Sequence, residues 1–225
     1  MNELSLYDTN ANPGKSSLLD QYSKPGTLLD IGCGNGLYGL HCADKKSFEV
    51  TQLDICDRRN PAAKHLPFIK ANAETYSLPD NFFDNVIALD IIEHLDHDQV
   101  ILEKLYCSMK PGGRLFISVP NEDNSPLEPL QLAHIHYTDK THRREYSHKF
   151  LAGIIESTGF CIIETKPQIN RSLTNFPKVL SRGHVISRVI ATFCTLQIKM
   201  LLKLGLLHNP VTADWLLVGE KPETS

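Results

Sequence analysis

Two runs, VIALDII at 86–92 and RLFISV at 114–119, constrain the fold more than any other feature of the chain. Their apolar residues fall at consecutive positions rather than at every second one, the pattern of strands buried on both faces. Such a strand needs a layer of structure on each side of its sheet, which selects a parallel sheet covered by helices on both faces. The surrounding sequence supplies those layers. Thr27–Ile31, Phe48–Asp54, Pro67–Ala71, Asp84–Asp90 and Arg114–Pro120 read as strands, with Phe160–Thr165 and Ala213–Glu220 following. Leu37–Lys45, Asp96–Met109 and Ser147–Thr158 read as helices, the last two with Asp96 and Ser147 as N-caps. Lys110-Pro111-Gly112-Gly113 and Ser157-Thr158-Gly159 are the turns that end helices and launch strands.

With 225 residues, 41% of them hydrophobic, the chain has enough interior for one domain, 1–225. The expected layout is an N-terminal cap over 1–24, a core over 25–165, a helical insertion over 166–211 and a last strand at 212–220. A net charge of −3 gives no general attraction to nucleic acid, and none is expected as a partner. The six cysteines, at 33, 42, 56, 107, 161 and 194, form no CxxC pair and no dense framework, so a reducing compartment is expected. The opening residues MNELSLYDTN lack a basic-then-apolar pattern, and the expected location is the cytoplasm.

The stretch LLDIGCGNGLYG at 28–39 joins the first strand to the first helix. Glycines at 32, 34 and 36 let the backbone approach a ligand there. A dinucleotide site wants G-x-G-x-x-G, whereas the spacing here is G-x-G-x-G. Asp30, two residues before the first glycine, would repel a pyrophosphate but could pair with an ammonium group. The ligand should therefore carry a positive amine near this turn.

LLDIGCGNGLYG resembles the first motif of the class I S-adenosyl-L-methionine-dependent methyltransferases, in the subgroup of small Rossmann-like enzymes acting on diverse acceptors. The resemblance extends along most of the chain. It implies an α/β, Rossmann-like, doubly wound, mostly parallel seven-stranded sheet with helices on both faces and a C-terminal helical insertion before the last strand. VTQLDICD resembles the second-strand motif, so Asp54, with Ile55 beside it, would face the ribose. KANAETYSLPDNFFDNVIAL is similar to the adenine-contacting segment. That segment usually carries an aspartate where this chain has Asn72, whose carbonyl can still accept from an exocyclic amine, with the Ala73 amide as second contact. Leu89 and Asp90 match the strand end facing the methionine part of the cofactor. Asp30, Gly32, Cys33, Gly34 and Gly36 would hold the methionine end. His94 stands where the resembled enzymes often have a histidine, but by itself reads as a satisfied hydrogen-bonding residue.

Methyl transfer from a sulfonium needs an acceptor placed in line and, for a hydroxyl, removal of a proton. The segment after the fifth strand, which lies beyond the strand carboxyl ends, holds His134, His136, His142 and His148. His136 or His142 is the expected base, because imidazole titrates near neutral pH. No metal is expected: His134, His136 and His142 match no familiar ligand spacing. THRREYSHKF resembles a pocket-wall segment of the same enzymes, and Arg143 and Arg144 would either bind an anionic acceptor group or pair with Glu145 and solvent.

From Lys166 to Ala213 the chain holds seven Lys or Arg residues and no Asp or Glu. Val185–Leu204 fits a helix with one narrow polar stripe of Arg188, Thr192, Thr195, Lys199 and Lys203. Three cations within the run argue against crossing a membrane. The alternatives are a lid, a homodimer seam, or docking on an anionic membrane surface, the last placing the protein at the inner membrane face. The function expected is transfer of a methyl group to a small-molecule, sugar or lipid-linked acceptor, at oxygen. The competing readings are a catalytically silent cofactor-binding partner protein and an NAD-dependent dehydrogenase.

Overall fold

The computed structural model describes residues 11–121, 141–144, 146–169, 197, 200 and 212–223. In chain order its elements are α1 (Pro13–Tyr22), β1 (Gly26–Ile31), α2 (Leu37–Ala43), β2 (Phe48–Asp54), β3 (Phe68–Lys70), β4 (Phe83–Leu89), α3 (Asp98–Ser108), β5 (Met109–Pro120), α4 (His148–Ser157), β6 (Cys161–Ile169) and β7 (Thr212–Glu220). They build a seven-stranded sheet of order β3-β2-β1-β4-β5-β7-β6. β1 pairs in parallel with β2 and β4, β2 with β3, and β4 with β5. β7 enters antiparallel between β5 and β6. Strand order reverses between β1 and β4, which opens a crevice at the carboxyl ends of those strands.

The consecutive apolar runs divide residue by residue between two cores. Leu29, Val86, Ala88, Leu115, Ile117 and Leu217 pack with Leu102 and Leu105 of α3 and Leu151 and Ile155 of α4. Leu28, Ile87, Phe116, Leu216 and Val218 face the other way, against Leu18 and Leu19 of α1 and Cys42 of α2. Each fully buried Leu or Ile contributes about 1.5–3 kcal/mol, and the period-two alternation along a strand sends neighbours into opposite layers. Helices thus cover both faces, as the sequence implied.

Four boundaries differ from expectation. The N-terminal cap contains a helix, α1, whose start is set by Asn12: its side chain accepts from the Gly14 N–H at 2.8 Å, and Pro13 fits the first turn. α3 begins at Asp98 rather than Asp96, because the amides of Asp96 and His97 both donate to Glu74 Oε1 at 3.1 Å and a side chain from another segment serves the helix entry. Lys110–Gly113 is not a separate turn but a bulged start of β5, with the register shifting between Phe83 and Asn85. β6 runs on to Ile169, so the insertion expected from 166 starts after that strand. Most of that insertion lies outside the described residues, including all of the helix expected over 185–204 except Gln197 and Met200, both helical, as do His134, His136 and Glu145. Among the described residues no helix is long and apolar enough to cross a membrane.

Candidate active site

The carboxyl ends of β1 and β2 carry the glycine turn. Gly32 and Cys33 donate their N–H groups to Leu53 O at 2.8 and 3.1 Å, which ties the turn to β2. Gly32 has φ +67° and a Cβ there would fall 2.2 Å from Ile91 Cδ1, so this glycine is required by packing. Gly34 has φ +52° and, among the described residues, nothing within 4 Å of the place a Cβ would occupy. Its backbone faces open space, as a loop that receives a ligand against its main chain must.

Asp54 ends β2 beside that space. Its Oδ2 accepts from Gly34 N–H at 2.9 Å and its Oδ1 from Cys56 N–H at 3.0 Å. Each oxygen keeps a second lone pair, enough for two neighbouring hydroxyls. Ile55 is 58% exposed, a flat apolar surface next to the carboxylate. Asn72 is exposed and its Oδ1 accepts from Glu74 N–H at 2.8 Å, while Ala73 is buried in the core.

Asp30 is only 3% exposed. Its Oδ2 accepts from Gly39 N–H at 3.0 Å and Gln52 Nε2 at 3.1 Å. Burial pushes its carboxyl up to about 6, against the two hydrogen bonds, and the Asp54 charge adds to the rise. Asp30 therefore braces the first turn of α2, a scaffolding task the sequence reading did not assign. Gln52, fully buried, completes the brace by donating to Gly36 O at 2.9 Å and accepting from Arg59 at 3.3 Å. Arg59 in turn stacks over the Phe68 ring at 4.2 Å. Burial raises the Cys33 thiol far above its ordinary range, so Cys33 contributes its backbone rather than a nucleophile.

The second half of the crevice lies past β4. Leu89 packs toward the α1 core, and Asp90 takes φ +54°, a left-handed conformation that Asp tolerates better than most residues. Its amide donates to Ser118 O at 3.0 Å and its Oδ1 accepts from Ser118 Oγ at 2.6 Å. Its Oδ2 meets the ammonium of Lys15, which is 4% exposed and also lies 3.4 Å from Asp214 of β7. Burial works against the Lys15 charge, but Asp90 and Asp214 outweigh it and raise the ammonium above its ordinary value. Glu93, 1% exposed, is raised well above the carboxylate range by burial first and by Asp90 second.

Residues 141–144 and 146 are stitched over this half. Arg143 N–H donates to Glu93 O at 2.7 Å, and its guanidinium pairs with Asp96 at 3.3 Å. Arg144 and the Tyr146 hydroxyl both reach Asp98 Oδ2, at 2.6 and 2.9 Å. The two arginines, read from sequence as anion binders or partners of Glu145 and solvent, thus pair with acids of the α3 entry. The stitching sets the His142 ring 4.7 Å from that of His94, whose Nδ1 lies 2.9 Å from Thr141 Oγ1.

The structure therefore brings Asp30, Gly32, Cys33, Gly34, Gly36, Asp54, Ile55, Asn72, Ala73, Leu89 and Asp90 to one edge of the sheet. It adds His142 there beside His94 and Glu93. Sequence reasoning missed Lys15 and Asp214, which come from α1 and β7; only the Asn12-Pro13 helix start offered a signal for the first.

A glycine turn after β1, a carboxylate closing β2 and the order 3-2-1-4-5-7-6 define a Rossmann-like fold with a nucleotide-cofactor crevice. A family profile described as a methyltransferase domain matches residues 9–165, so the chain belongs to that family and, with it, to the class I S-adenosylmethionine-dependent methyltransferases. S-adenosylmethionine is the cofactor that this membership brings. The chain is similar to phosphoethanolamine N-methyltransferase 2 of Caenorhabditis elegans, 27% identical over 177 residues, 72% of this chain and 38% of that one. It is also similar to the O-methyltransferase rstn1 of Aspergillus nomiae, 26% identical over 147 residues, 61% of this chain and 65% of that one. The chain thus spans less than two thirds of either relative. Among solved structures it shares its fold with a SAM-dependent methyltransferase from Archaeoglobus fulgidus, with TM-score 0.62, 22% identity and 92% of each chain covered.

Proposed function

We propose that this chain transfers the methyl group of S-adenosylmethionine to a hydroxyl of a small-molecule, sugar or lipid-linked acceptor. The cofactor is read along the sheet edge: adenine against Ile55, Asn72 and Ala73, ribose hydroxyls on Asp54, the amino-acid end over the glycine turn. That end is a zwitterion, and the Lys15 ammonium with the Asp90 carboxylate offers both complementary charges, Asp30 adding negative potential behind the turn.

The observation that carries the oxygen reading is the cluster of Glu93, His94 and His142 beyond β4. An amine attacks with a lone pair it already has, whereas a hydroxyl must first be ionised, and this cluster supplies groups suited to that task. The hydroxyl proton leaves, the oxygen lone pair forms the O–CH3 bond, and the C–S bond breaks with its electrons kept by sulfur as S-adenosylhomocysteine. His136, the other histidine expected as base, lies outside the described residues.

The basic, apolar stretch from Lys166 to Ala213 supports delivery of a lipid-linked acceptor at an anionic membrane surface, with a homodimer seam through 185–204 as the other use of the same residues. Sedimentation with anionic vesicles that fades as salt rises is the expected behaviour; none at low salt would remove the membrane reading. The test of function itself offers methyl-labelled cofactor to aqueous and lipid fractions of a lysate and locates the methyl by mass spectrometry. Label on nitrogen would overturn the oxygen assignment. Cofactor binding without any transfer would favour a silent partner protein, and binding of NAD alone a dehydrogenase.

A further inference from the structure

We propose that Glu93, His94 and His142 hold one divalent transition-metal ion at the acceptor end of the crevice. Each residue offers one ligand atom, and these atoms lie within 4.8 Å of one another. Bonds of about 2.0–2.2 Å to a shared ion would bring such donors to roughly 3–3.5 Å apart, so side-chain rotation must close the remaining gap on binding. A second observation points the same way: Glu93 Oε2 is buried and has no hydrogen-bond partner among the described residues. A buried carboxylate oxygen left without a donor calls for an explanation, and a cation between it and two imidazoles provides one.

The scaffold around the three residues is built to hold them. A short helical turn, Ile92–His94, places Glu93 and His94 side by side, with His94 N–H donating to Ile91 O at 3.0 Å. The third ligand comes from a segment that Arg143 N–H pins to Glu93 O at 2.7 Å, and Thr141 Oγ1 sits 2.9 Å from His94 Nδ1. Outer contacts of this kind fix imidazole orientation in metal sites. One carboxylate and two imidazoles suit first-row transition ions better than magnesium, which prefers oxygen ligands. Three protein ligands also leave positions open for a substrate oxygen.

The metal takes the acceptor hydroxyl as a ligand and eases its ionisation. The proton passes to water, the oxygen attacks the methyl carbon, sulfur keeps the electrons of the broken C–S bond, and the ion stays divalent throughout. What the ion does rests on the methyltransferase reading; whether it binds does not.

The test uses untagged protein freed of metal by a chelator and titrated with Co2+, read by visible d–d absorption, with Zn2+ as competitor. The expected result is one equivalent bound and displaced by Zn2+, with Glu93→Gln and His142→Ala each weakening Co2+ binding at least about tenfold. His65→Ala, on an exposed residue elsewhere, should leave it unchanged. Glu93→Gln preserves shape, and far-ultraviolet circular dichroism confirms that it folds. Less than one equivalent, or wild-type affinity in both ligand variants, would overturn the site. S-adenosylmethionine is titrated into the same samples. Cobalt binding without cofactor binding would sink the methyltransferase reading and leave the metal site standing, and the converse would do the opposite.

Discussion

Lys15 is the residue on which the two halves of the site turn, and Lys15→Met is the substitution that exposes its role. Methionine keeps the volume and removes the charge. The ammonium is 4% exposed and faces Asp214, whose side chain is 10% exposed, and Asp90, whose side chain is 45% exposed. The half-exposed Asp90 pair is worth no more than about 1 kcal/mol. Breaking a buried pair leaves an uncompensated charge and costs about 3–5 kcal/mol, but the variant no longer has to bury an ammonium. We expect a net loss of about 2–3 kcal/mol, or roughly 4–12 °C in Tm for a chain of this size.

The pH dependence separates this account from simple loss of packing. In the wild type the folded-state value of Lys15 lies above its unfolded value of 10.5, so its contribution is complete below 10.5 and fades only as pH rises through the higher folded value. At neutral pH the wild type is on that plateau. In the variant the Lys15 charge that holds Glu93 down is gone, so Glu93, already raised by burial and by Asp90, rises further. The folded variant then binds more protons, so its stability rises as pH falls from 7.5 to 5.5 and the gap to wild type narrows. Thermal denaturation at both pH values, with a cofactor titration beside it, measures this. A Tm within about 1 °C of wild type at pH 7.5, or a gap that does not narrow, would refute the reasoning.

Gly34→Ala should cost about 1–2 kcal/mol of stability from its positive φ yet sharply weaken S-adenosylmethionine binding. Gly32→Ala, which drives a Cβ against Ile91, should lower stability further, so calorimetry and denaturation on the pair separate ligand space from packing. Asp54→Ala should weaken cofactor binding by about 2–4 kcal/mol through lost charge-assisted hydrogen bonds, and unchanged affinity in a titration would sink the ribose assignment. Asp30 has a folded value of about 6 against 3.8 in the unfolded chain, so the folded state holds its proton longer and stability falls as pH rises between those values. Asp30→Asn should flatten that decline in denaturant curves taken from pH 4 to 7.

What could be read from the sequence depended on whether a residue works with its chain neighbours or with distant ones. The glycine turn, Asp54 and the doubly buried strands act within a few residues of themselves, and all seven strands fall within a few residues of the runs read as strands. Boundaries slipped where a remote side chain intervened, as when Glu74 took the amides that Asp96 was expected to cap around. Lys15, Asp90 and Asp214 come from α1, the end of β4 and β7. No local spacing announces such a group, because the sheet order that unites it places β7 next to β5. Asp30 was legible as important, but its bonds to Gly39 and Gln52 required the fold.

The same division runs through the site's chemistry. The part of the proposed cofactor site on the glycine turn, Asp54 and Asn72 is built from adjacency, along the first three strands and the turn between β1 and α2. The acceptor half is built from convergence: His142 reaches His94 only because Arg143 is held to Glu93 and Arg144 and Tyr146 share Asp98. On the proposed function, changes in the stitched segment should alter what is methylated while leaving cofactor binding untouched. On the same proposal, the chemistry of Glu93, His94 and His142, rather than that of the cofactor turn, sets which acceptor is ionised and methylated.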